Sequence, residues 1–280
     1  MIQMPGEHEI VHLIDAALRE DIGDGDVTSN AIFTGDELST ARVVAKEDGV
    51  FCGGDVVRMV YRRLCKEVRV APLKNDGAAI ARGETALMLS GPTAALLAGE
   101  RTALNFAQRM SGIATAARSA VALVAGTSIR ILDTRKTAPG LRLLDKYAVA
   151  AGGGTNHRMG LFDMVMIKDN HIRAAGGIAE AVRRVRAAHG SRLKVEVEVT
   201  DAAEAREAAD SGADIIMLDN MDRERMMEAI EIIAGRAKIE VSGNMDEKRV
   251  KEIADLAIDF ISIGALTHSV RAFDLSMRFE

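Results

Sequence analysis

Apolar and polar positions follow one rhythm before Ser128 and another after it. Near the start, Ile10, Leu13, Ile14, Ala17 and Leu18 recur on one helical face, which predicts an amphipathic helix over residues 8–20. Gly23-Asp24-Gly25-Asp26 breaks that pattern. From there to about residue 91 the runs are short and strand-like, ARVVA at 41–45 and ETALMLS at 84–90, around a helical stretch near 55–65. Thr93 to Gly126 reads as helix almost throughout, with Gly112 the candidate point of interruption. After Ser128, short apolar runs end in polar residues or glycine and lead into helix-like segments. They are SIRILDTRK at 128–136, MVMIKDNH at 164–171, KVEVEVT at 194–200, DIIMLDN at 214–220, KIEVSGN at 238–244 and DFISIGA at 259–265.

Strands alternating with helices predict βα units and a parallel sheet. Polar residues at many strand ends favour a barrel of the triosephosphate isomerase type over an open sheet, which gathers its ligand groups at one switch point. Such a barrel has eight strands, and only the six runs named above are evident, which leaves open whether the barrel closes. In KVEVEVT, Val195, Val197 and Val199 share one face and Glu196 and Glu198 the other. An apolar outer face and a polar inner face near a barrel mouth explain this pattern. A solvent-facing edge strand is the alternative.

The 280 residues allow one large or two modest domains. Aromatic residues make up only 3% and Trp is absent, so the core is expected to be aliphatic and a base-stacking nucleic-acid binder is disfavoured. A formal charge of −5 gives no global attraction to nucleic acid or anionic lipid. Cys52 and Cys65 are too few for a disulfide scaffold and are expected to be buried, reduced thiols. The stretch MIQMPGEHEIVHLIDAALRE carries acids and lacks a positive flank, so it is not read as a signal peptide, and no apolar run approaches a membrane span. A cytoplasmic protein with no nucleic-acid or membrane partner is expected.

Collected at the strand ends are the cationic Arg135, Lys136, Arg158 and Lys168, with His157 and His171 close in sequence, and the acidic Glu198 and Asp219. Ser242-Gly243-Asn244 and Ile263-Gly264-Ala265 form glycine-bearing turns in the last two units. Backbone N–H groups at such turns suit phosphate, although glycine also serves tight turns with positive φ. AGGGTNHR at 151–158 lacks the strand-to-helix context of a nucleotide fingerprint and reads as a mobile or tightly turning loop delivering His157 and Arg158. Glu198 and Asp219 suit a hard cation such as magnesium, or serve as counterions for the nearby Arg and Lys. Arg fits planar carboxylates and Lys acts as a point charge. Together these groups point to a ligand with several carboxylates, a phosphate and a metal.

ERTALNFAQRMSGIAT at 100–115, the forty-residue block DTRKTAPGLRLLDKYAVAAGGGTNHRMGLFDMVMIKDNHI at 133–172, LDN at 218–220 and IGALTHS at 263–269 closely resemble the quinolinate phosphoribosyltransferase family. These enzymes are also called carboxylating nicotinate-nucleotide pyrophosphorylases. EDIGDGDVTS at 20–29 resembles the family's start, and the resemblance runs in order along essentially the whole chain. It implies an α/β fold with an N-terminal α/β sandwich domain over 1–110 and an incomplete TIM-like barrel over 111–268. Residues 269–280 would return to the first domain.

The implied reaction joins quinolinate to phosphoribosyl pyrophosphate in de novo NAD biosynthesis, with Mg2+ and no organic cofactor, in a homodimer or higher homo-oligomer. By that resemblance Arg101 would reach the neighbouring subunit's quinolinate, and Arg135, His157, Arg158 and Lys168 would surround the acid. Lys136 would assist there or at the pyrophosphate-bearing substrate. Glu198 and Asp219 would face the ribose and magnesium, and Ser242, Gly243, Asn244, Gly264 and Ala265 the phosphate. Lys168, Lys136, Glu198 and Asp219 would carry the catalysis. The alternatives are the pyrophosphorylase-like paralogue associated with molybdenum transport, a barrel that binds a phosphorylated acid without turnover, and another phosphate-binding barrel enzyme. The intact NHR and KDNH elements favour the quinolinate enzyme.

Overall fold

A computed structural model of the protein describes residues 4–280; residues 1–3, part of the N-terminal stretch considered above, lie outside the described residues. Two compact units emerge, one running to Arg118 and including Thr137–Gly153 and Leu266–Glu280, the other made of Ser119–Lys136 and Gly154–Ala265.

The first unit begins with helix α1 (Glu7–Ile22), which buries Ile10, Ile14 and Leu18. Gly23 ends it at a φ of +55°, and Asp26 caps the short helix α2 (Val27–Ile32) through the N–H groups of Thr28 and Ser29. Strands β1 (Leu38–Ala45) and β2 (Gly49–Val50) precede helix α3 (Gly54–Leu64). Strands β3 (Arg69–Pro72), β4 (Ala79–Ile80) and β5 (Thr85–Pro92) follow, and then helix α4 (Thr93–Leu123). The main sheet of this unit adds a strand from the far end of the chain, β12 (Leu275–Phe279), in the order β12-β1-β5-β3, with every pairing antiparallel. Helix α3 buries Val56, Val57, Val60 and Tyr61, and the Tyr61 hydroxyl donates to the Leu96 carbonyl at 2.9 Å. Cys52 is buried whereas Cys65 is only half-buried, so the expectation of two buried thiols holds for the first alone; both are free. Gly112 does not interrupt α4, which continues through it.

The second unit contains strand β6 (Arg130–Leu132), and helix α5 (Arg142–Ala151) then belongs to the first unit. Strand β7 (Val165–Ile167), helices α6 (Asp169–Ala175) and α7 (Ile178–His189), strand β8 (Val195–Val199) and helix α8 (Ala202–Asp210) continue the chain. Strand β9 (Ile215–Asp219), helix α9 (Arg223–Ile233), strand β10 (Lys238–Ser242), helix α10 (Glu247–Ile253), strand β11 (Phe260–Ser262) and helix α11 (Ala265–His268) complete it. Among the described residues the strands form one six-stranded parallel sheet in the order β6-β11-β10-β9-β8-β7. A parallel bridge from Leu132 to Thr155 covers the free side of β6. The second unit is an incomplete TIM-like barrel, and the first is an N-terminal sheet domain. Because β8 lies between β7 and β9, the edge-strand explanation of its glutamates is excluded. No helix among the described residues is long and apolar enough to cross a membrane.

Candidate active site

Directly after β6, Asp133 is fully buried and organises the turn at residues 155–157. It accepts the backbone N–H of His157 at 2.9 Å and the side-chain amide of Asn156. Thr155 donates its N–H to the Ile131 carbonyl at 2.8 Å, so residues 155–157 form a tight, tethered turn. The His157 ring points inward. Its Nδ1 accepts the Arg158 backbone N–H at 2.7 Å, and its Nε2 lies 3.2 Å from Glu196 Oε2 and 3.5 Å from Glu240 Oε2.

Glu196 on β8 and Glu240 on β10 come from alternate strands, which in such barrels contribute to the same interior layer. Both carboxyls are buried. Burial pushes both above the usual carboxylate range, and their mutual repulsion raises Glu240 further. Arg158 and Lys168 pull Glu196 the other way, as His157 does Glu240. An oxygen of each carboxyl and a His157 nitrogen lie within 4.8 Å of one another.

The half-buried Arg158 reaches the Met164 carbonyl at 3.1 Å and Met166 Sδ at 3.6 Å. Burial and repulsion from Arg135 work against its charge, while Glu196 and Asp163 support it. Lys168, at the end of β7, pairs with Glu198 of β8. Arg135, Arg158 and Lys168 are thus linked electrostatically, Arg135 through Arg158 and the other two through Glu196. Lys136 is exposed one residue beyond Arg135. His171 is occupied locally, its Nδ1 accepting the Lys168 N–H at 3.0 Å as α6 begins. Asp219 ends β9 half-buried and accepts from Asn220 at 2.7 Å. Gly243 has a φ of +100°, and a Cβ there would meet Asn220 Oδ1 at 2.3 Å, so backbone geometry already requires glycine. Asn220 and Asn244 also adopt positive φ, at 53° and 47°. Gly264 occupies the turn after β11, and the exposed Ala265 begins α11.

The first unit holds a cavity of about 260 Å3 whose lining includes Glu20, Asp21, Thr102, Asn105 and Arg109. Arg109 makes a bidentate pair with the fully buried Asp145, at 2.8 Å through each nitrogen. Arg101 is exposed on α4.

Sequence reasoning missed Asp133, Asn156 and Glu240. Glu240 carried a readable signal, standing between the apolar Ile239 and Val241 as Glu196 stands between Val195 and Val197. Asp133 had none, since its partners lie over twenty residues away in the turn.

Two family descriptions match the chain, the quinolinate phosphoribosyl transferase N-terminal domain over residues 26–111 and its C-terminal domain over 113–278. A Bacillus subtilis protein named probable nicotinate-nucleotide pyrophosphorylase (carboxylating) is 44% identical over 96% of this chain and 93% of its own length. A mitochondrial quinolinate phosphoribosyltransferase (decarboxylating) of Nicotiana tabacum is 41% identical over 98% of this chain and 83% of its own. Among solved structures, NadC from Streptococcus pyogenes superposes with a TM-score of 0.96 at 43% identity, covering 99% of this chain and 98% of that one. The nicotinate-nucleotide pyrophosphorylase from Francisella tularensis gives 0.94 at 39% identity over 100% of both.

Proposed function

The chain belongs to the quinolinate phosphoribosyltransferase family, and on that footing we propose that its barrel joins quinolinate to phosphoribosyl pyrophosphate. The products are nicotinate mononucleotide, pyrophosphate and carbon dioxide, and the reaction serves de novo NAD biosynthesis. The observation that supports the site assignment is that Lys168 pairs with Glu198 while Arg158 is held against Met164 and Met166, within electrostatic reach of Arg135 and Glu196. Arg135 and Arg158 anchor the two carboxylates by planar pairing, and Lys168 supplies a point charge. Fixing the acid aligns its ring nitrogen with the ribose C1 and makes a two-substrate encounter an oriented one.

As pyrophosphate leaves, positive charge develops on the ribose, and the carboxylates of Glu198 and Asp219 stabilise it. Lys136 assists at the pyrophosphate-bearing substrate, and Ser242, Gly243, Asn244, Gly264 and Ala265 supply turns for its phosphate. After the C–N bond forms, the positive pyridinium nitrogen stabilises the carbanion left at C2 by loss of carbon dioxide, and C2 then takes up a proton, so an organic cofactor is unnecessary.

Glu198 and Asp219 fit magnesium by donor chemistry: two hard carboxylates on neighbouring strands, both accessible enough to share the ion with substrate oxygens. Glu198 already pairs with Lys168, so the ion competes with that lysine for the carboxylate. Bound there, magnesium would neutralise charge on the pyrophosphate. By the family resemblance, the exposed Arg101 would enter the neighbour's site in a homodimer. Free cysteines support a reducing, cytoplasmic setting.

The test supplies the purified protein with quinolinate, phosphoribosyl pyrophosphate and magnesium, and measures pyrophosphate and carbon dioxide. Equal release of both is expected. Arg135→Ala and Lys168→Ala are each expected to lower kcat/KM by about 100-fold or more with an unchanged melting profile. No release by the unaltered protein refutes the activity, and near-normal rates in both variants refute the site.

A further inference from the structure

We propose that Arg109 and Asp145 are positioning residues for the phosphoribosyl pyrophosphate end of the reaction. Their ion pair tethers the main chain two residues after Lys136 and two residues after Ala265. This rests on the function proposed above, which gives Lys136, Gly264 and Ala265 to that substrate.

The chain passes into the first unit at Thr137 and again at Leu266. One residue beyond each passage, a member of the pair holds the backbone. Asp145 on α5 accepts the Ala138 N–H through Oδ2 at 3.4 Å. Arg109 on α4 donates from Nη2 to the Thr267 carbonyl at 3.2 Å. The two side chains are locked to each other, Nε to Oδ1 and Nη2 to Oδ2, each at 2.8 Å. Asp145 Oδ2 thus accepts from both Arg109 and Ala138, while Arg109 Nη2 donates to both Asp145 and Thr267. All four residues belong to the first unit. Lys136 and Ala265 each stand a single residue away from the tethered positions, so a shift at the pair reaches them with little slack.

The pair is more than helix packing requires. The Asp145 side chain is wholly buried and that of Arg109 is 27% exposed. Apolar side chains of similar size would join α4 to α5 without the cost of removing a carboxylate from water. They could not bond an N–H and a carbonyl at once. A guanidinium can present one edge to a carboxylate and keep a further N–H for Thr267, in a fixed plane that Lys does not offer. The turn after Ala138 completes the hold. Gly140 has a φ of +79°, and the Leu141 N–H donates to the Ala138 carbonyl at 3.1 Å. The Ala138 carbonyl is therefore held by the turn and its N–H by Asp145.

The test replaces the whole pair with Arg109→Met and Asp145→Leu together, which leaves no unpaired buried charge and is expected to preserve the melting temperature. The double variant should raise KM for phosphoribosyl pyrophosphate about 10-fold, with KM for quinolinate within about 3-fold. A role in packing alone predicts normal values of both. Arg109→Lys keeps the charge opposite Asp145 but not the planar fork, and should raise KM for phosphoribosyl pyrophosphate about 5-fold. It decides the matter if the double variant fails to fold. An unchanged KM for phosphoribosyl pyrophosphate in the folded variants, or equal shifts for both substrates, overturns the proposal.

Amide hydrogen exchange reads the same tether without turnover. In the folded double variant, exchange should quicken at 136–138 and 265–267 and stay as it was over β8 and β9. Unchanged exchange at both turns overturns the tether, as does faster exchange along the whole chain, which would mark a role in overall stability. Failure of the unaltered protein to turn over quinolinate counts instead against the function proposed above, and the exchange pattern still decides whether the pair holds these turns.

Discussion

Glu240 illustrates how a single side chain can set the pH response of its surroundings. Burial and the facing Glu196 push its carboxyl up to about 8, with His157 and the Ser262 hydroxyl pulling the other way. In the unfolded chain a glutamate titrates near about 4.3. The folded value is the higher one, so Glu240 contributes stability that is fully present below about pH 4.3 and is lost as pH rises through about 8. Gln cannot titrate, so Glu240→Gln removes this dependence. The melting temperature of the variant, relative to the unaltered protein, is expected to climb by several degrees between about pH 5.5 and about pH 9. Parallel melting curves across that range would show that Glu240 ionises freely in the folded protein.

Among the elements, α4 shows a glycine kept for its neighbour. Gly112 lies mid-helix, where Ala would ordinarily be favoured by about 1 kcal/mol. A Cβ at that position would stand 2.1 Å from the Arg271 carbonyl oxygen. The C-terminal segment docks there through Phe273 N–H to the Gln108 carbonyl and Gln108 Nε2 to the Leu275 carbonyl, each at 2.9 Å. Close approach outweighs propensity. Gly112→Ala is therefore expected to destabilise by about 1–3 kcal/mol, read as a melting point lower by about 2–4 °C per kcal/mol in a chain of this size. A melting point above that of the unaltered protein would mean that helix propensity prevails.

This position also marks what the sequence conceals. Strands β6 to β11 were legible because apolar runs end in polar residues at each barrel lip, and α1 because Ile10, Ile14 and Leu18 repeat on one face. Gly112 reads as a helix breaker because its reason for being glycine is more than 150 residues away. The cationic groups were legible as strand-end charges. Their organisers were not, since Asp133 and Glu240 resemble ordinary charged residues until the barrel brings the 155–158 turn against them.

For the whole molecule the question is how a chain of net charge −5 attracts two polyanions. Screening limits long-range repulsion to a Debye length of about 8 Å at physiological ionic strength, so the local cations of the barrel decide the encounter. Arg101 is carried by the first unit and Lys168 by the second, and in the proposed homodimer Arg101 would join the barrel cations of the neighbouring subunit. Mixing subunits separates this possibility from a self-contained site. If the proposed dimer shares its sites in this way, Arg101→Ala and Lys168→Ala proteins should each be nearly inactive. In a mixed dimer, one site takes Arg101 from the Lys168→Ala subunit and Lys168 from the Arg101→Ala subunit and is intact; the other carries both lesions. Random exchange makes about half of the dimers mixed, so an equimolar mixture should regain about a quarter of the unaltered activity. If verified subunit exchange restores nothing, each barrel completes its own site and Arg101 serves another purpose.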